Sequence, residues 1–164
     1  MDNAGLQIRD ARLTDDLPRL VEFACAMAQE TEHKRLDAEV VGRGIAAMFA
    51  QPARGRYFVA ERAGAVVGTL MLTYEWSDWR AGDWWWIQSV YVVESARRGG
   101  VFSALYRHVR DAAAARGDVC GLRLYVEHDN GQAQATYRAL GMQDAGYRML
   151  EDALPWVAAV VRSG

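Results

Sequence analysis

Two arginines, two glycines and the start of a helix stand together in the segment Val92-Val93-Glu94-Ser95-Ala96-Arg97-Arg98-Gly99-Gly100-Val101-Phe102-Ser103. The residues before it, Trp84 to Val92, are aromatic and β-branched and read as a strand. The residues after it carry Val101, Leu105, Val109 and Ala112 at helical spacing, which predicts a helix from Val101 to Arg116. A strand that stops, curls and restarts at once as a helix exposes unpaired N–H groups and the positive end of the helix dipole. Gly99 and Gly100 have no Cβ, so an anion can touch the backbone there. The chemistry implied is capture of a pyrophosphate on the backbone amides of Arg98 to Ser103, with Arg97 and Arg98 adding positive charge at the rim. Other phosphate motifs fit worse. No G-x-G-x-x-G occurs, and no G-K-[ST] can form when Lys34 is the only lysine. On this stretch alone, a plain Gly-Gly turn before a helix stays open as the alternative.

A second constellation follows about 30 residues later in Asn130-x-x-Ala133-x-x-x-Tyr137-x-x-x-Gly141-Met142. Asn130 and Tyr137 are about two helical turns apart and share a face. Ala133 lies near that face and is small enough for a ligand to approach. A capped amphipathic helix with Tyr137 in the core reads these residues equally well.

Together the two segments resemble the GNAT acetyltransferases. The family pattern R/Q-x-x-G-x-G/A, after the fourth strand, is met by Arg97 and Gly100, while Phe102 stands where a small residue is usual. Glu94 replaces the usual proline after the strand. The second segment is similar to the family's N-x-x-A-x-x-x-Y-x-x-x-G-F. Glu75 to Arg80 and Trp84 to Val92 also look like one bacterial subgroup whose substrate is poorly defined. The resemblance implies an acetyl-CoA-dependent N-acyltransferase that transfers its acetyl group directly to a primary amine in a ternary complex. It places the coenzyme along Val92, Val93, Arg97 to Ser103, Asn130, Ala133 and Tyr137. It implies that the strand ending at Val92 splays from the next after Val92. A backbone N–H near Val92 would then face the developing oxyanion, and Tyr137 would serve as general acid. A catalytically silent acyl-CoA-binding domain and a phosphate-ligand-binding α/β protein are the competing readings.

No residue declares itself as the base that deprotonates the acceptor. Glu127 and Glu75 are the catalytic candidates, and Glu30 and Glu32, at the end of the first helix, border the expected acceptor site with Trp76, Asp78 and Gln88. Each carboxylate reads equally as solvated surface. Aromatic faces beside carboxylates suit a cationic amine. Alternation puts Trp84 and Trp86 on one strand face and Trp85 on the other. His33, His108 and His128 are scattered and form no metal cluster with Cys25 and Cys120, so no metal is expected.

The elements that position these residues follow from the period of the pattern. Leu6 to Arg9 is a strand. Thr14 caps a helix that runs to Glu30 through Leu17, Leu20, Val21, Ala24 and Ala28. Asp37 caps a second helix that Pro52 closes. Tyr57–Glu61 and Val66–Tyr74 form a hairpin over Ala63-Gly64, and Glu75 to Asp83 is a connection. Leu122–Val126 is a strand, Asn130 opens a helix that Gly141 ends, and Tyr147–Leu150 is a last strand. The tail from Pro155 to Val161 is strand or helix. The order β-α-α-β-β-β-α-β-α-β predicts a single mixed α/β domain over residues 1–164, with helices on both faces of the sheet.

The bulk properties agree with one domain. The chain has 164 residues, 51% of them hydrophobic, and a formal charge of -2. It should bury roughly 70% of the surface of its unfolded form. Near-neutral charge gives no reason to expect nucleic acid or an anionic membrane as partner. Two isolated cysteines and no secretion signal or membrane-length apolar run lead to a cytoplasmic expectation. A homodimer through the apolar tail Trp156 to Val161 is an open reading.

Overall fold

The computed structural model describes residues 5–163. Its chain order is β1 (Leu6–Asp10), α1 (Leu13–Glu32), β2 (Lys34–Leu36), α2 (Ala38–Ala50), β3 (Gly55–Arg62), β4 (Ala65–Ser77), β5 (Gly82–Val92), a 3-10 turn (Glu94–Ala96), α3 (Val101–Ala114), β6 (Val119–Leu124), α4 (Gly131–Ala139), α5 (Val157–Val160) and β7 (Val161–Ser163). Five strands form one sheet in the order β1-β3-β4-β5-β6. All neighbours are antiparallel except β5 and β6, which run parallel and are joined through α3. This is the mixed α/β architecture expected from the sequence.

Alternation along the strands builds two cores. Val59 points to one face and is buried with Leu20 of α1 and Ile45 of α2. Its neighbours Phe58 and Ala60 point to the other, and with Leu70, Leu72, Trp85 and Ile87 they meet Val101, Leu105 and Val109 of α3. Each fully buried leucine or phenylalanine contributes about 1.5–3 kcal/mol. The β3–β4 hairpin turns at Ala63 and Gly64, both at positive φ (50° and 77°), the conformation that matches the twist of the flanking strands.

Several elements depart from the sequence expectation. Thr14 does not cap α1. It lies in the first turn and donates to Asp15, while the buried Asp16 reaches back to accept the Arg12 N–H at 2.6 Å. Asp16 also accepts from the two terminal guanidinium nitrogens of Arg9 at 2.7 and 3.0 Å, a bidentate contact that a threonine cannot offer. Asp37 does cap α2, accepting from the Glu39 and Val40 amides. The expected connection Glu75–Asp83 is mostly strand: β4 runs to Ser77 and β5 starts at Gly82, so only a tight turn remains. β6 begins at Val119 and ends at Leu124, earlier at both ends than expected. Tyr147–Leu150 is not a strand. It is exposed, and among the described residues no strand pairs with it. The tail instead forms the short α5 and β7, and β7 pairs with β2, a strand that three residues between two helices did not announce. Among the described residues, no helix is long and apolar enough to cross a membrane.

Candidate active site

β5 parts from its neighbour, the edge strand β6, part-way along its length. β5 and β6 are paired from Asp83 and Val119 to Ile87 and Leu124, so the splay begins at Ile87, five residues before the expected point at Val92. The cause lies on the other edge of β5. Thr69 pairs with Tyr91 and Met71 with Gln88, so Ser89 and Val90 together oppose Leu70. Ser89 takes up the extra residue at φ 48°. Such a bulge bends the strand and raises its twist, which carries the end of β5 away from β6. It also shifts the pleat by one residue. Val90 and Val92 join the α3-side core, and Tyr91 turns to the α1 side, where its ring lies 5.0 Å from that of Phe23.

The opening carries a directed donor. Val93 N–H donates to Val67 O on β4 at 3.0 Å. Backbone N–H groups alternate along a strand, so Val92 N–H points the other way, into the gap towards β6.

The candidate phosphate-binding loop follows within a few residues. Arg97 and Gly99 N–H are taken by Glu94 O and Ala96 O, and Ala104 N–H by Gly100 O. The amides of Gly100, Val101, Phe102 and Ser103 fall in the first turn, where a helix has no carbonyl of its own to offer them. Arg98 and Gly100 are both left-handed, at φ 62° and 74°, and this turns the chain from the 3-10 segment into α3. Arg62 at the end of β3 braces the loop, donating to Gly99 O at 3.4 Å. Gly68 lets α3 approach the sheet: a Cβ there would stand 2.9 Å from Val101 Cγ1 and 3.2 Å from Tyr91 O.

Arg97 is less free than its sequence position suggests. Its Nε donates to Val92 O at 2.9 Å and its NH2 to Glu30 at 2.6 Å, and Tyr91 OH donates to the other Glu30 oxygen at 2.8 Å. Arg97, and then Tyr91, hold the Glu30 carboxyl below the usual carboxylate range. This clasp ties the end of α1 to the end of β5. Tyr91 and Arg62 were not singled out by sequence. Strict alternation places Tyr91 on the α3 side, and only the bulge reverses it.

Tyr137 lies on α4, facing the start of α3. Phe102, which breaks the family's small-residue pattern, turns from the cradle and meets the Tyr137 ring edge-on at 5.5 Å and the Tyr106 ring at 6.2 Å. Burial raises the Tyr137 pKa above the ordinary tyrosine value. Among the described residues, its hydroxyl has no protein hydrogen-bond partner. Asn130 caps α4 by accepting the Ala133 N–H at 3.0 Å, which gives both residues a structural task.

The other candidates separate into groups. On the α1 face of β4, β5 and β6, Glu75 accepts from Trp86 Nε1 at 2.6 Å and Arg123 at 2.9 Å, and these contacts lower its pKa, Trp86 first. The Trp86 ring packs at a tilt against Tyr125 with centroids 4.5 Å apart, Arg123 lies over Trp84 at 4.0 Å, and Gln88 donates to Thr73 at 2.6 Å. Arg123, Tyr125 and Thr73 emerge only from strand pairing, which no sequence motif marks. Trp85 is core. Trp76 pairs opposite Asp83, so the pleat puts it on the Trp85 side, away from Glu75. Asp78 is at the hairpin tip, bonded to the Trp79 amide. The tip is about 17 Å or more from the splay, at roughly 3.3 Å per strand residue. Glu32 pairs with Lys34. Glu127 follows β6 as an exposed residue, and among the described residues its carboxylate has no hydrogen bond or ion pair. No group of three or more His, Cys, Asp or Glu among those residues is placed to hold a metal.

Comparison with known proteins accounts for this arrangement. Residues 18–142 match the family described as Acetyltransferase (GNAT) family. A possible acetyltransferase from Clostridium difficile 630 superposes with a TM-score of 0.85 at 41% identity, over 91% of this chain and 97% of that one. A predicted acetyltransferase from Clostridium acetobutylicum, crystallised with acetyl-CoA, gives 0.74 at 16% identity over 90% and 96%. Glucosamine-6-phosphate N-acetyltransferase from Arabidopsis thaliana gives 0.69 at 17% over 90% and 97%, and at these low identities the likeness is one of fold. The search of curated proteins returns no significant match. With a splayed sheet, a free first helical turn and a family match over most of its length, the chain belongs to the acetyltransferase (GNAT) family.

Proposed function

We propose that the protein transfers the acetyl group of acetyl-CoA directly to a primary amine within a ternary complex. The observation that carries this reading is the opening between β5 and β6: the Val92 N–H aims into it, and unpaired first-turn amides flank it. The residues present fit the coenzyme. The amides of Gly100 to Ser103 form a nest for the pyrophosphate, and the gap beyond Ile87 and Leu124 gives the pantetheine arm a path between the strands. Bound acetyl-CoA supplies an acetyl group activated as a thioester.

The chain's own groups do the rest. Val92 N–H is a fixed dipole aimed where negative charge grows on the acyl oxygen. As the amine nitrogen bonds to the acyl carbon, the carbon–sulfur bond breaks, and Tyr137 donates its hydroxyl proton to the departing sulfur. The raised pKa keeps Tyr137 protonated at neutral pH. It also makes the hydroxyl a weaker acid than free tyrosine, so its advantage is position rather than acidity.

The acceptor enters from the α1 side, where Trp84, Trp86, Gln88 and Tyr125 line the sheet. Glu30, Glu32 and Glu75 are each spent in an ion pair. Arg97 on Glu30, and Trp86 with Arg123 on Glu75, hold those two carboxyls below the usual range, which makes them poor bases. Glu127 is the carboxylate left to take the proton of an incoming ammonium group, directly or through water. Trp76 and Asp78 fall outside this acceptor region. The test is amine-dependent release of free thiol from acetyl-CoA, with Glu127→Gln and Tyr137→Phe as the paired variants. Turnover untouched by both would remove these two roles.

A further inference from the structure

Glu30 stands where a helix gains nothing from a carboxylate. It lies in the last turn of α1, at the negative end of the helix dipole, with no basic residue in that turn to offset it. Its ion pair with Arg97 is open to water, the side chains being 45% and 42% exposed, and such a pair contributes little to stability. Neither the helix nor the fold as a whole accounts for it. What the carboxylate does hold is the end of β5. One oxygen accepts from Tyr91 OH and the other from Arg97, whose Nε in turn donates to Val92 O.

The polar groups of Val92 explain why that end needs holding. In an antiparallel pair, the N–H and C=O of one residue face the same side. Val93 N–H is turned to Val67 O on β4, so the N–H and the C=O of Val92 both face the gap beside β6. The N–H attracts an acyl oxygen that gains negative charge, and the C=O repels it. Arg97 takes the C=O and leaves the N–H free. The strand has little other support at this point. Pairing with β6 stops at Leu124, and the bulge at Ser89 interrupts the β4 register just before. The Tyr91–Val92 peptide, which bears the N–H, is instead anchored on both sides. Tyr91 is held through its hydroxyl and its ring, which lies 5.0 Å from Phe23 of α1. Val92 is held through its carbonyl. Both polar anchors end on the one carboxylate of Glu30.

We propose that Glu30 is a positioning residue for acetyl transfer, holding Val92 through Arg97 and Tyr91 so that its N–H meets the acyl oxygen. The inference rests on the transfer reaction proposed above and on the Val92 N–H as the oxyanion donor. It assigns the Arg97 side chain to the strand rather than to the pyrophosphate.

Amine-dependent thiol release from acetyl-CoA, measured for the wild type, Glu30→Gln, Arg97→Gln and the double variant, tests it. Glutamine has one acceptor oxygen where the carboxylate has two, so one anchor is lost. The kcat of Glu30→Gln should fall about tenfold, short of the roughly 10²–10³ lost when an oxyanion donor is removed outright. The KM for acetyl-CoA should be nearly unchanged. The melting temperature should not fall, because the helix dipole favours the neutral side chain. The kcat loss in the double variant should be well below the product of the single losses, since the two residues act as a unit. The Val92 amide proton reads the same geometry without turnover. Its resonance should move downfield when acetyl-CoA replaces coenzyme A, and the move should shrink in Glu30→Gln. Beside an active wild type, full kcat in Glu30→Gln, a loss confined to the KM for acetyl-CoA, losses that multiply in the double variant, or an undiminished Val92 shift would each overturn the proposal. Absence of thiol release from the wild type itself would overturn the transfer reading and this proposal together.

Discussion

At the scale of single residues, Tyr137 and Gly100 have separable tasks. Tyr137→Phe keeps the ring that packs on Phe102 and removes only the hydroxyl. Turnover should fall about 10²-fold or more, the usual scale for lost acid catalysis, with acetyl-CoA affinity and melting temperature nearly unchanged. The pH profile gives the same residue a sign. Its pKa is raised by burial, and in the proposed role the protonated form is the active one. The rate should therefore hold up to the ordinary tyrosine value, near 10, and fall only above it. That alkaline limb should vanish in Tyr137→Phe. Gly100 is needed for its φ of 74°. Gly100→Val forces a β-branched residue into the left-handed region, at about 1–2 kcal/mol, and swings the first-turn amides off the phosphate. Calorimetry should show coenzyme A binding weakened at least tenfold. Unchanged affinity would move the pyrophosphate elsewhere.

At the scale of elements, the site depends on how closely α3 is seated on β4 and how β5 bends. Gly68 is the contact point. Gly68→Ala places a methyl 2.9 Å from Val101 Cγ1, and overpacking of this kind costs typically 1–3 kcal/mol. Both stability and coenzyme affinity should drop, since Val101 is the first residue of the helix that carries the cradle. A variant as stable and as tight-binding as the wild type would show that the seat is not tight. What the sequence revealed here and what it hid have a common explanation. Local signals were legible: the glycine loop, the Asp37 and Asn130 caps and the β3–β4 hairpin all arise from residues close in the chain. The bulge at Ser89-Val90 was not, because it is defined by what lies across from it on β4. With it went the early splay, the turn of Tyr91 towards α1 and the clasp with Glu30 and Arg97. The Glu75–Arg123 pair stayed hidden for the same reason, as it spans 48 residues. Tyr147–Leu150 read as a strand by composition, but a strand needs a neighbour, and none stands beside it among the described residues.

At the scale of the whole molecule, the first helix is fastened to the sheet by Asp16. Burial pushes its carboxyl up, but Arg9 and the Arg12 N–H outweigh burial and hold it below the ordinary aspartate value. A depressed folded pKa gives stability that is present above the unfolded value, near pH 4, and lost as pH falls through the folded one. Asp16→Asn should cost about 2 kcal/mol at neutral pH and flatten this part of the acid unfolding curve in denaturant titrations. A variant with wild-type stability at pH 7 would mean that Arg9 is satisfied by Glu61 alone. Function at this scale rests on one assignment, transfer of an acetyl group to an amine through the β5–β6 opening. The measurement that tests it most directly follows free thiol and acetylated product together, with purified protein, acetyl-CoA and a panel of primary amines, their neutral analogues and carboxylate-bearing analogues. The account predicts one thiol released for each amine acetylated, with cationic amines preferred and the preference weakening as salt rises. Tight binding of acetyl-CoA with no amine-dependent thiol release across the panel would contradict it.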